Sequence, residues 1–359
     1  MCKSNSEEKI KVAVVGCGNI ANAAHIPNYA KNKRVELKFF CDIIPERADK
    51  AAKEYGGKAV YDYRELLGED IDAVSVCTHN DMHAPISIDF LRAGKDVLCE
   101  KPAARTLPEA LEMQRAARET GRLLSIGVVN RFGAYNNLVK EMIERGDLGE
   151  VFHVYASFRA HRSIPGIGGD FTNRAVSGGG ALIDWGVHYL DLVLYCCGEP
   201  KPLTASGEAF CKLGRDIKNY TYLSMWADRT KELGGVYDVD DSVIGLVRTD
   251  GPVVSFHGAW AQNIGEGETY IDFMGDKGGC RLQYFDDSLT YYTANDRGLV
   301  KQAIRLPKCD QYRREIDSFV DSVITRVPNQ ACIDKTIQTS KIMDAIYRSS
   351  DTHREVEIA

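Results

Sequence analysis

The strongest constraint on the fold is the run Ile10-Lys-Val-Ala-Val-Val-Gly-Cys-Gly-Asn-Ile-Ala21. Ile10, Val12, Ala13, Val14 and Val15 predict a strand buried on both faces. Gly16-Cys-Gly18 predicts a tight turn, and residues 19–30 a helix. Gly16 permits the turn, Gly18 lets backbone approach a pyrophosphate, and the small Ala21 lets helix pack on strand. The anion would sit at the helix N-terminus, where N–H groups lack partners and the helix dipole is positive. Two glycines after a strand also make an ordinary βα turn, so context decides. A second apolar run over residues 35–41 ends at Asp42. Roughly twenty residues beyond the glycines is where a carboxylate binds the adenosine ribose hydroxyls. The same charge repels a 2′-phosphate, so NAD is expected and NADP is less favoured. The competing role for Asp42 is to cap the helix entered at Pro45.

The first part of the chain goes on alternating strand-like and helix-like pieces. Strands are expected at 59–61, 71–77, 96–99 and 123–128, with helices at 45–55, 63–67, 84–93 and 106–120. That alternation predicts parallel βαβ units, and ligands bind beyond the carboxyl ends of such strands. Gly16, Asp42, Thr78, Glu100, Lys101 and Asn130 each follow a strand, so they should gather on one rim. From about residue 151 the pattern changes to strands at 151–161, 203–213, 241–248, 253–261, 269–274, 280–284 and 289–292. Asp250-Gly251 and Asp276-Lys-Gly-Gly279 read as hairpin turns. One helix, 181–197, interrupts the strands, and two more, 311–326 and 335–351, close the chain. The expected fold is an α/β Rossmann domain with a doubly wound parallel sheet. A C-terminal α+β domain with an open, mostly antiparallel sheet follows it. The boundary is drawn at 9–130 for nucleotide binding and 131–359 for substrate binding and oligomerisation.

Composition excludes some partners. A net charge of −6 argues against a nucleic-acid surface. No run approaches the ~18 apolar residues of a membrane span. Residues 1–9 are polar and lack a signal core, so a cytoplasmic protein is expected. The 11 cysteines are irregularly spaced with no C-x-x-C pair, which disfavours structural zinc. Several end apolar runs, where a thiol packs as a small hydrophobe. The adjacent Cys196-Cys197 pair has a redox alternative.

A second stretch carries ionisable groups: Gly178-Gly-Gly-Ala-Leu-Ile-Asp184-Trp185-Gly-Val-His188-Tyr-Leu-Asp191-Leu. Asp184 and His188 are four apart and share a helix face, which Asp191 continues. The plain reading is a solvent-facing stripe. An i, i+4 His and carboxylate can also bind a metal, but no further ligand stands out, so none is expected. Lys101 follows a strand and precedes Pro102. It is either a solvated loop charge or, aimed into a cleft, a stabiliser of a developing alkoxide.

Taken together, the glycine loop, Thr78-His-Asn80-Asp-Met-His83, Glu100-Lys101-Pro102, Asn130-Arg131-Phe132 and the Gly-Gly-Gly…Asp184…His188 segment resemble the glucose–fructose oxidoreductase/inositol dehydrogenase (Gfo/Idh/MocA) family over nearly the full length. The glycine loop is shared by many families; Glu-Lys-Pro with the Gly-Gly-Gly…Asp…His segment is specific. The resemblance implies NAD(P) chemistry on sugars, polyols or their derivatives, and homo-oligomers assembled through open sheet faces. It puts the catalytic lysine at Lys101 and the Asp and His at Asp184 and His188. His188 would take the hydroxyl proton, Lys101 would hydrogen-bond the reacting oxygen, and Asp184 would hold substrate or orient His188. Gly16, Gly18, Asn19, Ile20, Asp42, Thr78, Asn80, His83, Glu100 and Lys101 fall on cofactor-lining positions, with Asn130 and Arg131 near the nicotinamide end.

The chain departs from the pattern at residues 161–174, a long Gly-rich insert. Read as a lid, it offers Arg159, His161, Arg162, Asp170 and Asn173 to a polyhydroxyl ligand, with Trp185 beside Asp184. The alternative is an irregular surface or intersubunit loop. A second loop, 220–240, offers Trp226 and Tyr237 for stacking on a ring, or as core. The inserts look like those of branches that oxidise the C3 hydroxyl of a glycoside's sugar for a downstream glycoside-cleaving enzyme. Keto-sugar or anhydro-sugar reduction, a redox glycosidase with retained NAD, and a non-catalytic sugar or NAD sensor are the competing readings.

Overall fold

The computed structural model describes residues 9–225, 229, 231–284, 286 and 288–358. The chain forms two compact units. The first holds residues up to Ala104, then Pro108–Val129 and Asp310–Lys335; the second holds Arg105–Leu107, Asn130–Cys309 and Thr336 onward.

In the first unit, β1 (Ile10–Val15), β2 (Val35–Cys41), β3 (Lys58–Val60), β4 (Ala73–Val76), β5 (Asp96–Glu100) and β6 (Leu124–Gly127) form one sheet in the order β3-β2-β1-β4-β5-β6. Every pairing is parallel. β4, β5 and β6 are buried at every position, because helices cover both faces of such a sheet. The strand order reverses between β1 and β4, which opens a crevice at their carboxyl ends.

The helix Gln311–Thr325 also belongs to this unit. Asp310 caps it by accepting from the Arg313 N–H at 3.0 Å. Ile316, Phe319, Val320 and Val323 form an i, i+3, i+4, i+7 stripe, and all four are buried with Val12, Val14, Ile26 and Tyr29. A boundary drawn once at residue 130 leaves this helix with the other unit. The stripe explains its return, since it completes the core around β1.

In the second unit, β7 (Val151–Arg159), β8 (Pro202–Phe210), β9 (Ser242–Thr249), β10 (Val253–Ala259), β11 (Glu268–Gly275), β12 (Gly278–Gln283), β13 (Ser288–Asn295), β14 (Gly298–Ile304) and β15 (Val356–Glu357) form a second sheet. Its order is β14-β13-β12-β11-β7-β10-β9-β8-β15. The expected turns at Asp250-Gly251 and Asp276–Gly279 join antiparallel neighbours. β7 and β10 pair in parallel, so their ends, Arg159 and Ala259, lie side by side. β14 falls outside the expected strands: an edge strand with Lys301 and Gln302 exposed gives no buried alternation. One apolar core joins the sheet (Val154, Phe158, Phe256, Ile271, Phe273) to helix residues Leu190, Val193, Leu194, Ile342 and Ile346. Among the described residues, no helix is long and apolar enough to cross a membrane.

Candidate active site

In the first unit, the loop after β1 packs on the loop after β4. Gly16 has φ +89°, and a Cβ there would lie 2.5 Å from the Cys77 carbonyl oxygen, so only glycine fits. Gly18 is different: a Cβ on it would meet no protein atom within 4 Å. The fold itself does not demand glycine there, whereas a phosphate brought against the backbone would. The helix that follows has a π-helical turn, Ala21–His25, before Ile26–Lys31. Asn19 at the helix start is exposed and Ile20 half-buried.

Asp42 is buried beside this loop. Its Oδ2 accepts from the Cys17 N–H at 2.8 Å and its Oδ1 from the Ile44 N–H at 2.9 Å. The residue capping the helix at Pro45 is Ile44, so Asp42 does not cap it. Its carboxylate lies at the glycine turn, with acceptor capacity on both oxygens beyond these two bonds. The Cys17 thiol is pushed up to about 12 by burial and by Asp42, which leaves it inert.

Glu100, the last residue of β5, is also buried. His25 Nε2 lies 2.8 Å from its Oε1, and the Lys101 N–H donates to its Oε2 at 3.1 Å. His25 Nδ1 in turn meets Ser75 Oγ at 3.2 Å, and Ser75 Oγ meets the Tyr29 hydroxyl at 2.8 Å. Burial pushes the Glu100 carboxyl up, but His25 and Lys101 outweigh it and hold the group below its usual range. The result ties the glycine-loop helix to the backbone of Lys101. His83 fixes the same turn from the other side. Its Nδ1 lies 2.8 Å from the Pro102 carbonyl and its Nε2 3.1 Å from the Thr78 carbonyl. Burial holds the His83 ring below the ordinary histidine value, against the pull of these carbonyls. Thr78 and Asn80 are half-buried where β4 runs into the helix Asn80–Arg92.

In the second unit, the helix start is built on three glycines. A Cβ on Gly178 (φ +85°) would meet the Arg105 carbonyl at 2.4 Å, one on Gly179 the Tyr347 hydroxyl at 2.1 Å, and one on Gly180 the Asp240 carbonyl at 1.9 Å. A π-helical turn, Leu182–Gly186, precedes the α-helix Val187–Cys196. Asp184 lies inside that turn, buried, and its Oδ2 accepts from the Trp260 indole N–H at 3.2 Å. His188 is half-buried, with Asn130 Nδ2 3.2 Å from its Nδ1. Asn130 Nδ2 also donates to the Tyr284 hydroxyl at 2.6 Å.

Asp191 does not continue this arrangement. It is 1% exposed and receives Arg131 Nε and Nη2, both at 2.8 Å, while Thr339 donates to it at 3.2 Å. Arg131 also reaches Glu199 Oε1 at 2.6 Å and is fully buried. Its guanidinium therefore ties the helix to the segment after β6. The solvent-facing stripe is not what forms.

The insert is a packed structure. Ile164 and Ile167 are fully buried with Trp260, Tyr220, Val239 and Ala261 in a small core of their own, against which Trp185 and Tyr237 pack. Tyr237 is thus core and not a stacking platform; Trp226 lies outside the described residues. Asn173 accepts from the Ala175 N–H at 3.0 Å and caps a short helix, and the exposed Asp170 starts a 3₁₀ turn that ends at the buried Thr172. Arg162 donates to Asn263 at 2.5 Å and lies over the Tyr220 ring. Arg159 pairs with Glu268 across the β7–β11 ladder. The half-buried His161 accepts from the Gln262 N–H at 2.9 Å through its carbonyl. His25, Asp240, Trp260 and Tyr284 are site-supporting residues that sequence reasoning missed. The adjacent Asp240-Asp241 pair and the scarcity of tryptophan, three in the chain, were the available signals. The described cysteines are free thiols, and the described residues hold no cluster able to bind a metal ion.

Comparison with known proteins shows what the chain is similar to. The profile of an oxidoreductase family with an NAD-binding Rossmann fold, Gfo/Idh/MocA, matches residues 10–128, and that of the Gfo/Idh/MocA C-terminal domain matches residues 137–281. D-glucoside 3-dehydrogenase of Escherichia coli (strain K12) is 30% identical over 363 residues, covering 100% of each chain. Glucose-6-phosphate 3-dehydrogenase of Bacillus subtilis (strain 168) is 30% identical over 63% of each. Among solved structures, a levoglucosan dehydrogenase in complex with NADH and levoglucosan superposes with a TM-score of 0.82, covering 98% of this chain and 100% of that one, at 21% identity. At that identity the likeness is one of fold.

Proposed function

This chain belongs to the Gfo/Idh/MocA family of NAD-binding oxidoreductases, and from that premise we propose that it oxidises a secondary hydroxyl of a glycoside's sugar, at C3. What carries the reading is the full-length likeness to a D-glucoside 3-dehydrogenase. The packed insert at 161–174, an elaboration beside Asp184, supports a substrate larger than a free cyclitol.

Bound NAD supplies the acceptor for the hydride leaving the sugar carbon. The chain's own residues prepare the rest. In the first unit, the Gly18 backbone and the helix start receive the pyrophosphate, and Asp42 receives the ribose hydroxyls. Glu100 and His83 hold the backbone on either side of Lys101, whose ammonium donates to the reacting oxygen as it gains charge.

In the second unit, His188 takes the hydroxyl proton. The Asn130 amide controls which ring nitrogen carries the proton. With its nitrogen toward Nδ1, a neutral ring carries its proton on Nε2. With its oxygen toward Nδ1, Nδ1–H donates and Nε2 carries the basic lone pair. Base function at Nε2 selects the second state, reached by turning the Asn130 amide over so that its oxygen meets the ring in place of the Nδ2 that faces Nδ1 and the Tyr284 hydroxyl in the structure. Asp184 accepts from a neighbouring sugar hydroxyl. The exposed Phe152, Leu203, Ile244, Tyr292 and Leu299 of the open sheet support a homo-oligomer, to be read by sedimentation velocity.

The test is NAD reduction by the purified protein with a panel of alkyl and aryl glycosides, free sugars and inositols. NADH and a 3-keto product with glycosides is the expected result. Turnover with a free inositol and none with any glycoside refutes the substrate class.

A further inference from the structure

Trp260 follows β10 directly, is fully buried, and is the largest such side chain among the described residues. A buried indole N–H needs an acceptor. Here the acceptor is Oδ2 of Asp184, 3.2 Å away and 76 residues earlier in the chain.

The backbone of Trp260 is held from both sides. Its N–H donates to the Asp241 carbonyl at 2.9 Å, and its carbonyl accepts from the Ser163 N–H at 2.8 Å. Asp240, the residue before Asp241, holds the other end of the arrangement. Its Oδ1 accepts from the Gly180 N–H at 2.8 Å and its Oδ2 from the Leu182 N–H at 2.9 Å. Its carbonyl accepts from the Ala181 N–H at 2.9 Å, and Tyr347 donates to Oδ1 at 2.7 Å. These bonds satisfy the N–H groups at the start of the helix, which would otherwise lack partners. The Asp184 N–H then donates to the Gly180 carbonyl at 2.9 Å. Two chains of hydrogen bonds thus leave the dipeptide Asp240-Asp241 and meet at Asp184, one through its backbone and one through its side chain.

We propose that Trp260 is a positioning residue for the Asp184 carboxylate, and that Asp240-Asp241 is the anchor from which both links are set. A carboxylate tethered at one end only can turn about its terminal bond. With Oδ2 on the indole its plane is fixed, and the sugar hydroxyl meets a preformed acceptor. Misplacement by about 1 Å of a positioned group costs on the order of a hundredfold in rate. Because the insert and Trp260 share one small core, the same link makes the placement of Asp184 depend on the packing of residues 161–174. This inference rests on the reading that Asp184 serves the catalytic site.

The test is a double-mutant cycle with Trp260→Phe and Asp184→Ala, together with nitrogen-15 spectra of the indole N–H groups. Trp260→Phe keeps an aromatic ring in the core and removes the donor. We expect it to lower kcat by roughly ten- to a hundredfold, with the NAD dissociation constant unchanged, and to cost nothing further in the Asp184→Ala background. An equal loss in both backgrounds would mean that Trp260 serves packing alone, and would overturn the proposal. The spectra read the link without turnover. The three indole signals are assigned with Trp185→Phe and Trp226→Phe, and Asp184→Asn should move the Trp260 signal. An unmoved signal overturns the proposal even if the enzyme is active and even if Trp260→Phe fails to fold. A moved signal in a protein that oxidises no sugar upholds the link and sinks the functional reading instead.

Discussion

Two buried side chains decide much of the chemistry expected at the residue scale. One is Asn130, whose amide faces His188 Nδ1. Replacing it with Leu should lower kcat by roughly ten- to a hundredfold, since an orienting hydrogen bond is lost. Asn130→Asp can place only an oxygen toward the ring and adds a negative charge, which favours the imidazolium. The acid limb of the kcat/KM profile should therefore move to higher pH while the maximal rate stays near that of the parent. A loss of rate equal to that of the Leu variant at every pH would refute the tautomer argument. The other is Glu315, 1% exposed in the helix Gln311–Thr325. Burial, reinforced by the charge of Glu100, pushes its carboxyl well above the usual range. In the unfolded chain the group ionises near pH ~4.3. Above that pH the unfolded state has lost a proton that the folded state keeps, so stability falls as pH rises, up to the folded-state value. Glu315→Gln removes the titration. The two proteins should melt together at about pH 4, with the variant progressively higher toward neutrality. Parallel melting curves across that range would show that Glu315 is ionised in the fold.

At the scale of elements, two short stretches of similar appearance carry different demands. Gly16 is required by the protein's own packing, whereas a Cβ on Gly18 would meet no protein atom within 4 Å. Gly16→Ala puts a Cβ against the Cys77 carbonyl in a left-handed conformation, which costs about 1–3 kcal/mol. It should lower the melting temperature of the nucleotide-free protein. Gly18→Ala should leave that temperature unchanged and weaken NAD, measured by calorimetry on both variants. The strand-turn-helix around these glycines was legible because its residues are neighbours in sequence. So were Asp42 and the alternation behind the parallel sheet. The π-helical turn at Leu182–Gly186 was not legible: an i, i+4 count assumes one α-helical phase, and the wider turn departs from it between Asp184 and His188. The burial of Asp191 was not legible either, because its partner Arg131 lies sixty residues earlier. Asp240 and Trp260 were illegible for another reason. They reach the helix from strand ends some sixty to eighty residues away, and no local pattern announces such a contact. β14 escaped notice because an exposed edge strand has no apolar alternation to read.

For the whole molecule, the first unit is discontinuous in sequence. The helix Gln311–Thr325 closes the core that supports β1 and the glycine loop. Phe319 is fully buried there, and Phe319→Ala should cost about 3–5 kcal/mol. NAD affinity should fall with it, although the residue lies about three hundred positions from Gly18. Unchanged NAD binding and an unchanged melt would mean that the helix is dispensable to the nucleotide fold.

The late return of that helix also sets an order of events during synthesis. β6 ends at Gly127 and the closing helix begins at Gln311. At ordinary elongation rates of about 5–20 residues per second, roughly ten to forty seconds separate the two at the ribosome. For that interval the nascent parallel sheet stands without its cover, and Tyr29 and Ile26 face whatever meets them first. Chaperone demand should therefore be set early in translation and end only as the helix Gln311–Thr325 emerges.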